Sequence, residues 1–171
     1  DKINIALYHG AIEGARTDTG WRMKDTDDDV SIFNDFDFAF LGDIHKQQYL
    51  NKSKTIAYCG STVQQNFGEE DNKGLLLWDI KSKTDFSSKS ICFKNPNPFI
   101  TIEYKGEESL KGTPGAYLRI ILDKYYSHDE VQRIEAKAHE LLSPKTIIFL
   151  EKRANAVESS IEEAGNKKLN L

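Results

Sequence analysis

The sequence predicts an α+β chain in two parts, a sheet-rich part over residues 1–96 and a small β-β-α-β part over 97–153. Three observations predict this. Short apolar runs bounded by glycine and polar turns recur at close spacing through the first part, the pattern of buried strands. The segment Asn95-Pro96-Asn97-Pro98 then excludes helix and central strand, because its two prolines remove amide donors and push the residues before them into extended backbone. Beyond it two further apolar runs precede one capped amphipathic helix, and a third run follows.

In the first part, Ile3-Asn4-Ile5-Ala6-Leu7-Tyr8 reads as a buried strand ending at His9-Gly10. Residues 11–29 lack periodicity and read as a long loop. Its acidic run Asp25, Asp27, Asp28, Asp29 has no calcium-loop spacing and reads as solvated. Val30 to Asp35 fits a helical turn feeding a strand over 37–41. That strand stops at Gly42 and is followed by Asp43 and His45. Residues 46–54 read as a polar loop and Thr55-Ile56-Ala57-Tyr58-Cys59 as another strand, closed by Gly60-Ser61-Thr62. Asp71-Asn72-Lys73-Gly74 has hairpin-turn chemistry. Leu75 to Ile80 and Ser90 to Phe93 read as paired strands across a polar turn over 81–89.

In the second part, Phe99 to Tyr104 and Ala116 to Leu122 are strands. Ser127 and Glu130 form a capping box that starts a helix. Val131, Ile134, Ala138, Leu141 and Leu142 give that helix an apolar stripe, Pro144 follows its end, and Thr146 to Leu150 is the third strand. Residues 154–171 are polar and read as a tail or linker.

Composition narrows the function classes. The chain has 171 residues, 39% of them hydrophobic, with 9 Phe, 7 Tyr and 2 Trp, enough for a core. Its net charge is −4, and neither part is basic: residues 1–96 carry 12 Lys/Arg against 15 Asp/Glu, and 97–171 carry 11 against 12. Contact with DNA would therefore use local patches, such as Lys46, Lys52 and Lys54, or metal ions. Cys59 and Cys92 make no disulfide framework, so nothing argues for secretion, and both read as reduced and packed. There is no signal peptide or membrane-length apolar run, so an intracellular, non-membrane protein is expected. The chain begins with Asp1 and opens almost directly into a strand, which reads as a piece of a longer protein.

The candidate site gathers His9, Asp43 and His45, which follow two apolar strands. Ligands collect beyond the carboxyl ends of strands in α/β sheets. If the two strands are neighbours, two imidazoles and a carboxylate converge, a donor set that suits a divalent ion such as Mn²⁺. Each residue taken alone is read more simply: Asp43 as a turn cap and His45 as a solvated side chain.

Four motifs in order, Tyr8-His9-Gly10, Phe40-Leu41-Gly42-Asp43-Ile44-His45-Lys46, Tyr58-Cys59-Gly60-Ser61-Thr62 and Glu69 through Lys73-Gly74, resemble the second half of the calcineurin-like metallophosphoesterase domain. More narrowly they resemble the nuclease subunit of the SbcC–SbcD double-strand-break repair complex, whose archaeal and eukaryotic counterpart is the meiotic-recombination-eleven nuclease. The resemblance covers about residues 3–153 and implies a partial metallophosphoesterase β-sandwich followed by a capping domain. It implies metal ligation by His9 and His45. Asp43 stands where the family more usually has the first His of Gly-His-x-His. Lys46, Ser61 and Thr62 would border the DNA path.

The resemblance further implies Mn²⁺ as cofactor, two ions per full-length site, and DNA as substrate. It implies an SbcC-type ATPase as partner, a homodimer in the full-length parent, and a cytoplasmic, nucleoid-associated location. The family's Asp-x-His, Gly-Asp-x-x-Asp and Gly-Asn-His-Asp motifs are not found as a set. Asp43-Ile44-His45 matches the first of them, but nothing downstream supplies the others, so that placement is rejected. The expectation is a fragment of a Mn²⁺-dependent DNA exo/endonuclease, itself inactive, with its catalytic residues in the absent half and weak metal binding or none. The alternatives are a non-catalytic DNA-capping and partner-docking module with a degenerate metal site, or another metallophosphoesterase acting on nucleotides or phosphoproteins.

Overall fold

Alternation of apolar side chains dictates most of the architecture of the computed structural model, which describes residues 2–152. The chain is α+β, with nine strands and one α-helix among the described residues. Residues 154–171, expected to be a tail or linker, lie outside them, as does Arg153 of the expected capping domain. The fold divides into two compact units between Phe99 and Ile100, just beyond the proline pair.

In the first unit β1 (Ile5–His9), β2 (Phe38–Gly42), β3 (Gln48–Tyr49) and β4 (Ile56–Tyr58) form a sheet in the order β1-β2-β4-β3. β1 and β2 are parallel, with Tyr8 opposite Leu41 and His9 opposite Gly42; β2 and β4 are also parallel. Parallel neighbours require crossover connections, which is why residues 10–37 are so long a loop. They also bring the carboxyl ends of β1, β2 and β4 to one edge.

β2 is apolar without interruption because both its faces are covered. On one face Ala39 and Leu41 join Ala6, Ile12, Ala15, Phe33, Ile44 and Tyr58 in a core. On the other, Phe38 and Phe40 meet a hairpin made of β5 (Gly74–Ile80) and β6 (Phe86–Cys92). Trp78 lies 4.9 Å from Phe40 between ring centroids, and Phe86 lies 4.9 Å from Phe38. β1 is the sheet's edge, and its Leu7 is 82% exposed.

Several local readings change. The polar loop 46–54 contains the short strand β3, which pairs antiparallel with β4. Asp71 to Gly74 is not a hairpin turn: β4 and β5 belong to different sheets, and Gly74 already pairs with Cys92. A Cβ at Gly74 would meet the Ile91 carbonyl and Cys92 Cα, so close backbone approach explains the glycine. The hairpin turn expected over 81–89 is residues 81–85, where the Ser82 hydroxyl accepts from the amides of Thr84 and Asp85. Cys59 and Cys92 are free, as expected, but exposed rather than packed: Cys92 ends β6 on its outward face and Cys59 lies just beyond β4.

The second unit is a three-stranded sheet, β7 (Phe99–Tyr104), β8 (Tyr117–Leu122) and β9 (Thr146–Glu151), in that order. β8 and β9 are parallel neighbours joined through α1 (His128–Leu142). Ser127 caps α1 with the expected box: its hydroxyl accepts from the Glu130 amide, and the Glu130 carboxylate accepts from the Ser127 amide at 2.7 Å. Ile134, Ala138 and Leu142 are buried against Ile102, Leu118, Ile120 and Leu122. Leu141, read as part of that stripe, is 45% exposed instead.

No helix among the described residues is long and apolar enough to cross a membrane.

Candidate metal and phosphoester site

At the common edge of β1, β2 and β4 the chain turns sharply. Tyr58, fully buried at the end of β4, anchors this edge: its hydroxyl donates to the Gly10 carbonyl at 2.7 Å and accepts from the Ile12 amide at 2.9 Å. Burial pushes its pKa up, and the nearby Asp43 carboxylate adds to the rise. Gly60 follows at φ +78°, and a Cβ there would come within 3.0 Å of the His45 carbonyl and the Gln47 amide. A glycine is therefore needed where the loop after β4 crosses the loop after β2.

Asp43 leaves β2 at φ +92°, a conformation that strains any residue but glycine. Asp43 and His45 line one cleft of about 340 Å³ with Asp18, Met23, Asn66 and Glu69. His45 Nδ1 lies 2.8 Å from Glu69 Oε1, with the imidazole about half exposed and the carboxylate 7% exposed. Glu69 Oε1 also accepts from Asn66 Nδ2 at 2.9 Å, and Oε2 accepts from the Gln65 amide at 3.0 Å. Lys73 Nζ approaches Glu69 Oε2 at 3.4 Å. It donates to Asp18 Oδ2 at 2.7 Å and to the His45 carbonyl at 2.9 Å. Burial alone would raise the Glu69 pKa; the hydrogen bonds from His45 and Gln65 and the charge of Lys73 outweigh it and hold the carboxyl below its ordinary value.

The predicted residues do not all meet. Asp43 and His45 share the cleft; His9 lines an open apolar groove with Leu7, Phe40 and Cys59, its ring lying across Gly42. Ser61 and Lys46 border a third, smaller hollow together with Lys73, and Thr62 is exposed nearby in sequence. The Ser61 hydroxyl is buried without a hydrogen-bond partner. Lys46 pairs with Glu70 at 3.7 Å, and Lys54 sits over the Tyr49 ring. The acidic run serves the loop: Asp28 accepts from the Tyr8 hydroxyl at 2.6 Å, and Asp29 caps the 3₁₀ turn Val30–Phe33.

In kind, Asp43 and a carboxylate-backed His45 suit a divalent ion. In number they fall short: among the described residues no three His, Cys, Asp or Glu side chains are grouped to hold one. Glu69 and Lys73 stand in the sequence only as a turn and as one motif of the resemblance, without a role at the site, and Asp18 stands out not at all. Glu69 and Lys73 meet across a turn and not on a helix, so their spacing carried no pairing signal. Asp18, 55 residues from Lys73, offered none.

No family model matches the chain. Over 104 residues, 60% of its length, the chain is 40% identical to an uncharacterized protein of Acanthamoeba polyphaga mimivirus, and the match spans 8% of that protein.

Proposed function

We propose that this chain is part of a Mn²⁺-dependent DNA phosphodiesterase of the SbcD-like repair nuclease kind, contributing Asp43 and His45 to a dimetal centre whose other ligands come from a longer polypeptide. The carrying observation is His45 held by Glu69 beside a strained Asp43, at the carboxyl ends of parallel strands. Strain at a non-glycine residue collects at functional sites. Ile5 and Leu7, 43% and 82% exposed on the edge strand β1, give an apolar face that supports a larger domain packing there. Bound metal would activate water and stabilise charge on the phosphate oxygens. This chain's own part is to fix donor direction: the sheet places Asp43 and His45 together, and Glu69 orients the ring. DNA is the substrate in this reading, an SbcC-type ATPase the partner, and the full-length enzyme a homodimer.

The second reading is a non-catalytic DNA-capping and docking module. It is favoured by His9 lining a different hollow from Asp43 and His45, with no three donors grouped for an ion among the described residues. Assaying the longer natural polypeptide with Mn²⁺ and duplex DNA decides between them. Metal-dependent cleavage lost in His45→Ala and Asp43→Ala supports the nuclease. Full activity in both variants removes the site, and DNA binding without cleavage in the unmutated protein supports the module.

A further inference from the structure

Every group around Glu69 gives it a proton or a positive charge. Oε1 faces Asn66 Nδ2 at 2.9 Å and His45 Nδ1 at 2.8 Å; Oε2 faces the Gln65 amide at 3.0 Å and Lys73 Nζ at 3.4 Å. A carboxylate so surrounded can only accept. The hydrogen in the contact with His45 is therefore carried by Nδ1, and a neutral ring then keeps its lone pair on Nε2.

We infer that Glu69 is a positioning residue that fixes His45 as its Nδ1–H tautomer, so that Nε2 is the ligating nitrogen offered to the cleft, with Lys73 and Asp18 as the clamp that holds Glu69 there.

The clamp has a closed geometry. Lys73 is 5% exposed; its ammonium donates to Asp18 Oδ2 and to the carbonyl of His45 itself, and pairs with Glu69 Oε2 at 3.4 Å. One buried cation thus holds both the backbone of the ligand and the carboxylate that orients its ring. Ser61 adds a second donor to the same carbonyl, its amide lying 3.1 Å away. Glu69 cannot turn without leaving a buried cation, which costs far more than rotating a surface side chain, and the half-exposed ring cannot turn without losing its hydrogen bond to that carboxylate. His9 has no such arrangement, and its ring rests against Gly42.

The tautomer is independent of any metal, while its use rests on the nuclease reading above, and one experiment separates the two. Imidazole nitrogen NMR on the ¹⁵N-labelled 171-residue chain, without metal, reads the protonated nitrogen of His45. Protonation at Nδ1 is expected in the unmutated chain and in Glu69→Gln, whose amide oxygen still accepts, with a shift toward Nε2 protonation in Glu69→Leu. Protonation at Nε2 in the unmutated chain overturns the inference, and so does an unchanged tautomer in folded Glu69→Leu. If Glu69→Leu does not fold, Lys73→Met supplies the test: its His45 signals should show the two tautomers mixing, and a single unchanged tautomer overturns the clamp. Titration with Mn²⁺ alone then reads paramagnetic broadening. Broadening centred on His45, with affinity about 10- to 100-fold weaker in Glu69→Leu, supports positioning toward a metal. Nδ1 protonation with no broadening at His45 leaves the positioning standing and counts against the metal reading.

Discussion

Lys73 Nζ and Asp18 Oδ2 lie 2.7 Å apart, with their side chains 5% and 6% exposed, and 55 residues of chain separate them. The pair ties the loop after β1 to the segment entering the hairpin, under the floor of the candidate site. Removing one member of a buried pair strands the other charge, which costs about 3–5 kcal/mol. Lys73→Met should therefore destabilise the first unit by roughly that amount. Adding Asp18→Asn should recover part of it. Urea unfolding followed by Trp78 fluorescence measures both, and a single variant as stable as the parent would show the pair to be incidental.

Asp43 separates strain from function. Its φ of +92° strains a non-glycine residue by about 1–3 kcal/mol, while glycine's extra chain entropy costs about 0.5–1. Strain is the larger effect, so Asp43→Gly should raise the unfolding midpoint, and Asp43→Ala should not. If the nuclease proposal holds, the same glycine variant should lose Mn²⁺-dependent cleavage in the longer polypeptide. A destabilised Asp43→Gly would mean that the aspartate is held there by local hydrogen bonding.

Asp37 couples stability to pH. Its Oδ2 accepts from the Asn4 amide at 2.8 Å, and Lys83 of the hairpin turn pairs with Oδ1 at 2.9 Å. The Asn4 bond first and Lys83 second hold its pKa below the usual 3.8. A carboxyl depressed in the folded state stabilises fully above its unfolded value, and that contribution fades as pH falls through the folded value. The midpoint gap between the parent chain and Asp37→Asn should be widest near neutrality and close in strong acid. A gap independent of pH would exclude the charge as its cause.

Ser127 carries the start of α1. Ser127→Ala should cost about 0.5–2 kcal/mol, and Ser127→Asp, which keeps an acceptor, should restore most of it. Because the cap lies in the second unit, hydrogen exchange should quicken in α1 and leave β1, β2 and β4 unaffected. Loss of protection in both units would show that they unfold together.

The sequence was most legible where a local rule and the packed outcome agree. The capping box of Ser127 and Glu130, the apolar turns of α1 and the strands β7, β8 and β9 follow from spacing alone, since each is decided within a few residues. β3 was hidden because two residues of strand carry no period, and Asp71 to Gly74 has turn chemistry but joins strands of different sheets, whereas the β5–β6 turn lies within the expected 81–89.

At the site, residue types and strand ends alone brought out His9, Asp43 and His45. Only the tertiary structure decided their grouping, because the direction of a ring depends on which face the strand presents and on what stands behind it. His9 ends β1 facing an apolar groove. His45 lies beyond β2, past a residue in a glycine-like conformation, and meets a carboxylate 24 positions away. Contacts across such separations are set by loop closure and burial, which no local pattern encodes.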